Sequence, residues 1–478
     1  SLIQRTGGCL VNFDSYQSPF SWRYASPDMR ALWSETHKRR LWRQIWVALA
    51  EAQVDFGLVT PEQLADLRAH VNEINISRAL EIEAQIHHDL MAELKTYAEQ
   101  CPQGGPILHV GATSMDIEDN AEALRLRAAC DLLLPKLQSL LLILADKIAA
   151  YHDLPLIAWT HLQPAEPTTL GYRLAFYAQD LLADWHTLQR VRASLRGKGF
   201  KGAVGTAAAY MEWTGADRYA AFEDHLSRLL NLPFFPITTQ TYPRRQDYDL
   251  VSALAGLGGS IYKIAFDIRL LQSPPIGEIS EPFSQHQVGS SAMPFKRNPI
   301  QSEKINSLAR ALANLPHLAW DNAAHSLLER TLDDSANRRA LLPEAFLIAD
   351  ELLITLQRIL RGLNVNLPVI QRNLNTYAPF AGTERLLMAL VQAGADRQAM
   401  HEVIRHHAMN AWQALQTGQP NPLIVGLAAD PDVTAWLPAE QIQELVNVDH
   451  YTGIASQRAQ EIVSEIRALF SPSPHNQE

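Results

Sequence analysis

Residues 250–271 read LVSALAGLGGSIYKIAFDIRLL. Leu250, Leu254, Leu257, Ile261, Ile264, Ile268 and Leu271 recur at alternating steps of four and three, which puts them on one helix face. Ile305, Leu308, Leu312 and Leu315 resume the same steps downstream. Between these seams, residues 273–299 read SPPIGEISEPFSQHQVGSSAMPFKRNP. Pro274, Pro275, Gly277, Pro282, Gly289, Pro294 and Pro299 make a density of breakers that no helix interior tolerates. A segment of about 27 residues without secondary structure is usually a lid, a binding loop or disorder. Ile276, Ile279, Phe283, Val288, Met293 and Phe295 argue against disorder. The pattern predicts a mobile active-site loop whose working part is Ser290, Ser291, Lys296 and Asn298.

Outward from this loop the same seam recurs. Leu133, Leu137, Leu140, Leu144 and Ile148 form one, with Pro135 expected to kink it, and Leu174, Ala178, Leu181, Trp185, Leu188 and Leu195 form another. Leu342, Ala345, Ala349, Leu352, Leu356, Ile359 and Leu363 form a fifth. Seams at a 3.5-residue period mean near-parallel helices packed knobs-into-holes. The expected fold is all-α, with three helical domains: 1–113, a central long-helix bundle over 114–365 carrying the loop 273–299, and 366–478. Beyond residue 366, Pro379, Gly382, Gly394 and the GQPNP run at 418–422 are expected to separate shorter helices. Apolar surface wider than the seams predicts burial against other copies of the chain.

Bulk properties narrow the function classes. The chain has 478 residues, enough for two or three domains, and a net charge of −10 that argues against nucleic acid as a main partner. Cys9, Cys101 and Cys130 form no CxxC pair, so neither a zinc site nor a disulfide framework is expected, and a reducing, cytoplasmic setting is the default. Residues 1–19 show no apolar stretch of the signal-peptide kind, and no run of 18 uncharged apolar residues suggests a membrane span.

Several polar constellations stand out. The GKGFKG run at 197–202 matches GxGxxG, but a helix precedes it where a dinucleotide fold needs a strand. It reads as a turn between helices that offers backbone N–H groups to an anion. His401 and His406 lie five apart, about 140° around a helix, so they cannot share zinc as an HExxH pair does. His88-Asp89 reads either as a surface pair or as part of a site. His161 sits among Thr160, Gln163, Thr168 and Thr169, groups able to fix an imidazole tautomer for acid–base work. Arg330, Ser335, Arg338 and Arg339 suit a phosphate, or else an Arg–Asp surface network with Asp333 and Asp334.

Taken together these residues resemble the fumarase/aspartase superfamily and, within it, the adenylosuccinate lyase family, closest to its animal-type branch. The GSSAMPFKRNP run at 289–299 is similar to the family loop, and GATS at 111–114 and the run from Thr160 to Thr169 to its two other blocks. SWRYASP at 21–27, His88-Asp89, QTY at 240–242 and the stretch from Arg330 to Arg339 narrow the resemblance to this family. It implies a homotetramer with active sites shared between subunits, no cofactor and no metal. The implied reaction releases fumarate from adenylosuccinate and from succinyl-aminoimidazole-carboxamide ribotide. Ser290 matches the general base and His161 the general acid. Thr113, Ser114, Gln240, Lys296 and Asn298 match positions at the succinyl carboxylates, Thr160 is a further substrate-binding position, and His88 and Asp89 match the pair near the base. Arg23, Tyr24, Arg330, Ser335 and Arg339 match the phosphate and ribose side. Lys304 stands where animal-type members carry Arg, which keeps the charge but loses the bidentate fork.

The residue types suit that chemistry. Taking a proton from the carbon beside a carboxylate makes a carbanion whose charge spreads onto the carboxylate, so fixed donors there carry much of the catalysis. A serine serves as base only when nearby positive charge and desolvation favour its alkoxide. The alternatives on the same scaffold are another fumarate-releasing lyase, such as an argininosuccinate lyase, or a non-catalytic helical protein.

Overall fold

The computed structural model describes residues 13–283, 293 and 295–471. As expected, the chain is all-α, and the five seams become the long helices Ser114–Tyr151, Leu170–Ser194, Arg245–Leu271, Ile300–Ala324 and Ser335–Arg361. Leu133, Leu137, Leu140, Leu144 and Ile148 are all fully buried. Ser114–Tyr151 and Arg245–Leu271 are long and apolar enough to cross a membrane by length and composition. Here their seams line the protein interior, as core helices of this composition do.

Three features depart from the expected pattern. Residues Pro155–Thr160 and Gln163–Thr169 form an antiparallel hairpin where no strand was expected. Within 273–299, Ile279–Ser280 pairs with Asn364–Val365, so that segment is not wholly without secondary structure. Pro379 and Gly382 do not separate helices either, since both lie inside the continuous helix Leu367–Gln392. A proline forfeits one backbone bond, and packing around it makes up the loss. Gly382 is there for contact: a Cβ on it would come within 2.4 Å of the Val446 carbonyl oxygen.

The chain divides into two compact units. The first comprises residues up to Leu137 with Asp184–Gly259 and Ser307–Ile354. Its core gathers Trp42, Ile45, Trp46, Leu49, Tyr97, Phe200, Tyr210 and Phe222. In its helical part Gly258 admits Leu312, which would lie 3.0 Å from a Cβ there. The second comprises Gln138–Ala183, Ser260–Asn306 and residues from Thr355 onward. Its core centres on Leu386, Leu390, Met400, Leu423, Leu427, Ile442 and Val446. Tyr177 donates to Asp267 at 2.6 Å, and Arg269 to Asn306 at 3.1 Å, tying three of its helical segments.

The first unit also buries charge. Glu93, fully inaccessible, takes Arg39 Nη1 at 3.1 Å and Arg43 Nε at 2.7 Å. Arg43 also reaches the His70 and Glu73 carbonyls and lies 4.4 Å over the Tyr97 ring. Breaking such a cluster strands charge in the core. Glu93→Gln is expected to destabilise the chain by about 3–5 kcal/mol, read as a lowered urea midpoint, whereas an unchanged midpoint would show that the cluster is not needed.

Candidate active site

The site in the first unit is assembled at the start of the helix Ser114–Tyr151. Asp116 binds back to the Thr113 N–H at 3.0 Å while its own N–H donates to the Thr113 carbonyl at 3.0 Å. This reciprocal pairing fixes the turn that presents Thr113 and Ser114. His87, at φ +55°, ends the helix Ile76–Ile86 in a left-handed residue. That reversal lets His88 cap Asp89–Gln100, its Nδ1 accepting the Met91 N–H at 3.4 Å. With Nδ1 accepting, Nε2 carries the proton, and it faces the Ser114 Oγ at 3.4 Å.

Ser335 opens the helix Ser335–Arg361, and with Arg339 it lines a polar cleft beside Asp89, Glu118, Lys38 and Arg125. Successive residues on a helix point 100° apart, and the arginine run divides accordingly. Arg338 turns inward to Asp247 at 2.8 Å and the Tyr242 hydroxyl at 2.8 Å. Arg339 reaches Asp89 at 2.7 Å. Burial opposes ionisation of Asp89, but the Arg339 guanidinium holds its carboxyl below the usual range. Arg330 pairs with Asp334 at 2.9 Å, and the buried Arg244 joins Asp334 to Asp119. The Arg–Asp network is therefore real, but much of it is interior. Gln240 donates its N–H to the Glu329 carbonyl at 3.1 Å, next to Arg330. Arg23 is exposed, with its guanidinium 4.6 Å over the Trp22 ring, and the Tyr24 carbonyl accepts from Arg30.

In the second unit, His161 and Leu162 form the two-residue turn of the hairpin, both with positive φ (54° and 57°). That is the backbone of a tight hairpin connection, and it leaves His161 exposed at the tip with Thr160 on the strand beside it. His161 lines a cavity with Trp159, Tyr172, Arg173 and Asp267. Arg173 secures the hairpin by donating to the Ile157 carbonyl at 2.9 Å. Both flanks of the proline-rich segment are tied to one place. The Glu281 carboxylate caps the helix Ile300–Ala324 by accepting the Gln301 and Ser302 N–H groups at 3.0 and 2.9 Å. Gln272 accepts the Glu281 N–H and donates to the Arg297 carbonyl, both at 3.0 Å. Lys296 and Asn298 sit just before that helix, the Lys296 N–H on the Met293 carbonyl and the Asn298 carbonyl on the Ile300 N–H. Ser290 and Ser291 lie outside the described residues.

The remaining motifs resolve into structure. Two N–H groups of the 197–202 run, those of Lys201 and Gly202, do receive an anion, and it is the side chain of Asp116. His401 and His406 share the helix Arg397–Gln416. Asp66, His70 and Cys101 place ligand-type atoms within 4.8 Å of one another. All three are engaged locally, Asp66 with the Gln103 and Gly104 N–H groups and the other two with the Asp66 carbonyl.

Sequence reasoning passed over Lys38, Glu118, Glu122 and Arg125, which line the cleft with Asp89 and Arg339. In sequence Glu118 stands with Asp116 and Asp119 where acids favour a helix start on electrostatic grounds alone, and Lys38, Glu122 and Arg125 belong to no motif. Burial, and then the nearby Asp89 and Asp119 charges, push the Glu118 carboxyl up to about 8. A carboxyl raised in the fold keeps its proton at pH values where the unfolded chain has released it, so it costs stability as pH rises from about 4.5 to about 8. Glu118→Gln should therefore match the wild type in unfolding free energy from urea titration at pH 4.5 and exceed it by roughly 1 kcal/mol or more at pH 8.5. An equal gap at both pH values would contradict this.

The chain is similar to known proteins over nearly its whole length. The Lyase family model matches residues 22–312, and the adenylosuccinate lyase C-terminus model residues 379–466. Adenylosuccinate lyase of Saccharomyces cerevisiae is 39% identical over 465 residues, covering 95% of each chain. That of Schistosoma mansoni is 42% identical over 410 residues, covering 84% of this chain and 85% of the relative. Among solved structures, the 3-carboxy-cis,cis-muconate lactonizing enzyme of Pseudomonas putida aligns with a TM-score of 0.84 at 26% identity, over 95% of this chain and 99% of the other. With both family models matched and a relative 39% identical over 95% of each chain, the chain belongs to the adenylosuccinate lyase family.

Proposed function

We propose that this chain eliminates fumarate from adenylosuccinate, giving AMP, and from succinyl-aminoimidazole-carboxamide ribotide, giving the aminoimidazole-carboxamide ribotide, in the cytoplasm. The observation that carries the reading is the gathering of His88, Asp89, Ser114, Ser335 and Arg339 around the start of one helix, in a chain whose relatives are named for this activity. In this reading Ser290 removes the proton from the carbon beside the succinyl carboxylate and His161 protonates the leaving nitrogen. Lys296, Asn298, Thr113, Ser114 and Gln240 hold the carboxylates and stabilise the carbanion. Thr160 steadies the acid, and His88 and Asp89 flank the base. Arg23, Tyr24, Arg330, Ser335 and Arg339 take the ribose phosphate. Arg339 suits that role through its planar fork of donors, and its pairing with Asp89 keeps it aimed at the cleft until an anion arrives.

The working assembly is a homotetramer whose active sites draw on several subunits, with no cofactor or metal. Exposed Tyr172, Phe176, Phe266 and Leu270 on Leu170–Ser194 and Arg245–Leu271 support it, as such side chains on long helices are best buried against another copy. The division into 1–113, 114–365 and 366–478 follows the same scheme, with 273–299 as the loop that closes over substrate.

Incubation with adenylosuccinate should release fumarate and AMP together, and absence of both would end this reading. Ser290→Ala and His161→Ala should each lower kcat by about 100-fold or more while sedimenting as the wild type does. Near-normal turnover in either would remove its assigned role. Arg339→Ala should raise KM by about tenfold or more, and an unchanged KM for both substrates would discard the phosphate assignment.

A further inference from the structure

The run at 197–202 has the composition of a phosphate cradle, yet the Gly197, Gly199, Lys201 and Gly202 N–H groups are occupied from within the protein. Asp116, fully buried, receives Lys198 Nζ at 2.5 Å and the N–H groups of Lys201 and Gly202, both at 3.2 Å, on Oδ1. Its Oδ2 receives the Thr113 N–H at 3.0 Å, the Tyr210 hydroxyl at 3.0 Å and the Gly202 N–H at 3.2 Å. One helix turn further on, Asn120 clamps the same run by accepting the Gly199 N–H at 2.9 Å and donating to the Gly199 carbonyl at 3.0 Å. Gly199 and Gly202 hold φ of +78° and +74°, and a Cβ on Gly199 would meet the Glu223 carboxylate at 2.4 Å. The loop is thus shaped to enclose a carboxylate on Asp116, and among the described residues of the proposed substrate subsite Thr113 is the one bonded to it.

We infer that Asp116, locked by Lys198 and the 197–202 loop, is a positioning residue that fixes the Thr113-Ser114 turn for the substrate carboxylate. This rests on the function proposed above. Both oxygens of Asp116 face donors, so only an acceptor on both sides satisfies them. An amide satisfies one side and turns its own NH2 group against donors on the other. Asp116→Asn therefore frees either the loop or the Thr113 N–H, and with it Ser114 and its approach to His88. Displacement of about 1 Å in a group that binds the reacting part of a substrate costs around 100-fold in rate.

The experiment follows kcat and thermal midpoint of the full-length protein with adenylosuccinate. Asp116→Asn leaves Lys198 buried without its counter-charge and will be destabilised on that account. The double variant Asp116→Asn/Lys198→Met removes both charges and so recovers the part of the loss that the stranded ammonium causes. The inference expects it to melt above Asp116→Asn while kcat stays about 100-fold low. Recovery of kcat along with stability would overturn it, because the pair would then act on folding alone. Tyr210→Phe takes away one donor and leaves the charges. It should lower kcat several-fold at temperatures well below its modestly lowered midpoint, and if the double variant fails to fold, an unaltered kcat in Tyr210→Phe overturns the inference by itself. A wild type that releases no fumarate sinks the functional reading and the inference with it. An active wild type with an active double variant sinks the inference alone.

Discussion

A charge taken out of water must meet its opposite within hydrogen-bond reach, and the first unit is arranged around that requirement. Glu93 answers Arg39 and Arg43, Asp119 and Asp334 answer Arg244, and Asp116 answers Lys198. All of these side chains are nearly or wholly inaccessible. Replacing such pairs with hydrocarbon often costs nothing in stability, so their value lies elsewhere. They join segments far apart in sequence at fixed atoms, and two of the carboxylates, Asp116 and Asp119, stand in the first two turns of the helix that presents Thr113 and Ser114. Apolar packing gives the unit its bulk, while these pairs give that helix start its orientation.

The second unit reaches a similar end with fewer charges. Glu281 collects the free N–H groups at the beginning of Ile300–Ala324, and Gln272 bridges Glu281 to Arg297. The residues before that helix, Lys296 and Asn298, are therefore held at a helix N-terminus, where the dipole favours negative charge. A substrate carboxylate brought to them would meet an ammonium group, an amide and the positive end of a helix together. The hairpin contributes differently: two left-handed residues carry His161 outward on a stiff support whose flanking strands are fixed by Arg173.

How much of this was legible depended on which physical signal carried it. The five long helices were plain from Leu, Ile and Ala repeating at steps of three and four, and proline at 135, 316 or 343 did not stop them. Tertiary packing offsets the one bond a proline removes. The hairpin was hidden because Pro164 and Pro167 break the alternation of its second strand, and because its turn is His-Leu in place of the usual Asn-Gly. Pro379 and Gly382 read as breakers because no local rule shows that Val446 will pack against that helix. At the site, the polar blocks were legible as residue types. What sequence could not supply was direction, such as Arg338 turning inward and Arg339 outward, or the Asp116 carboxylate filling the glycine-rich run. Ion pairs between residues 80 to 250 positions apart leave no periodic trace.

If Arg339 takes the nucleotide phosphate as proposed, its contact with Asp89 has a consequence for turnover. A guanidinium already matched by a carboxylate gains, on taking a nucleotide phosphate, only the difference between two anions. Affinity at that end of the ligand is thereby capped. Because the nucleotide that leaves carries the same phosphate as the one that entered, the cap falls on product as much as on reactant. An anion resident in the protein thus works as a returning competitor, and it shortens the stay of whatever the reaction leaves behind.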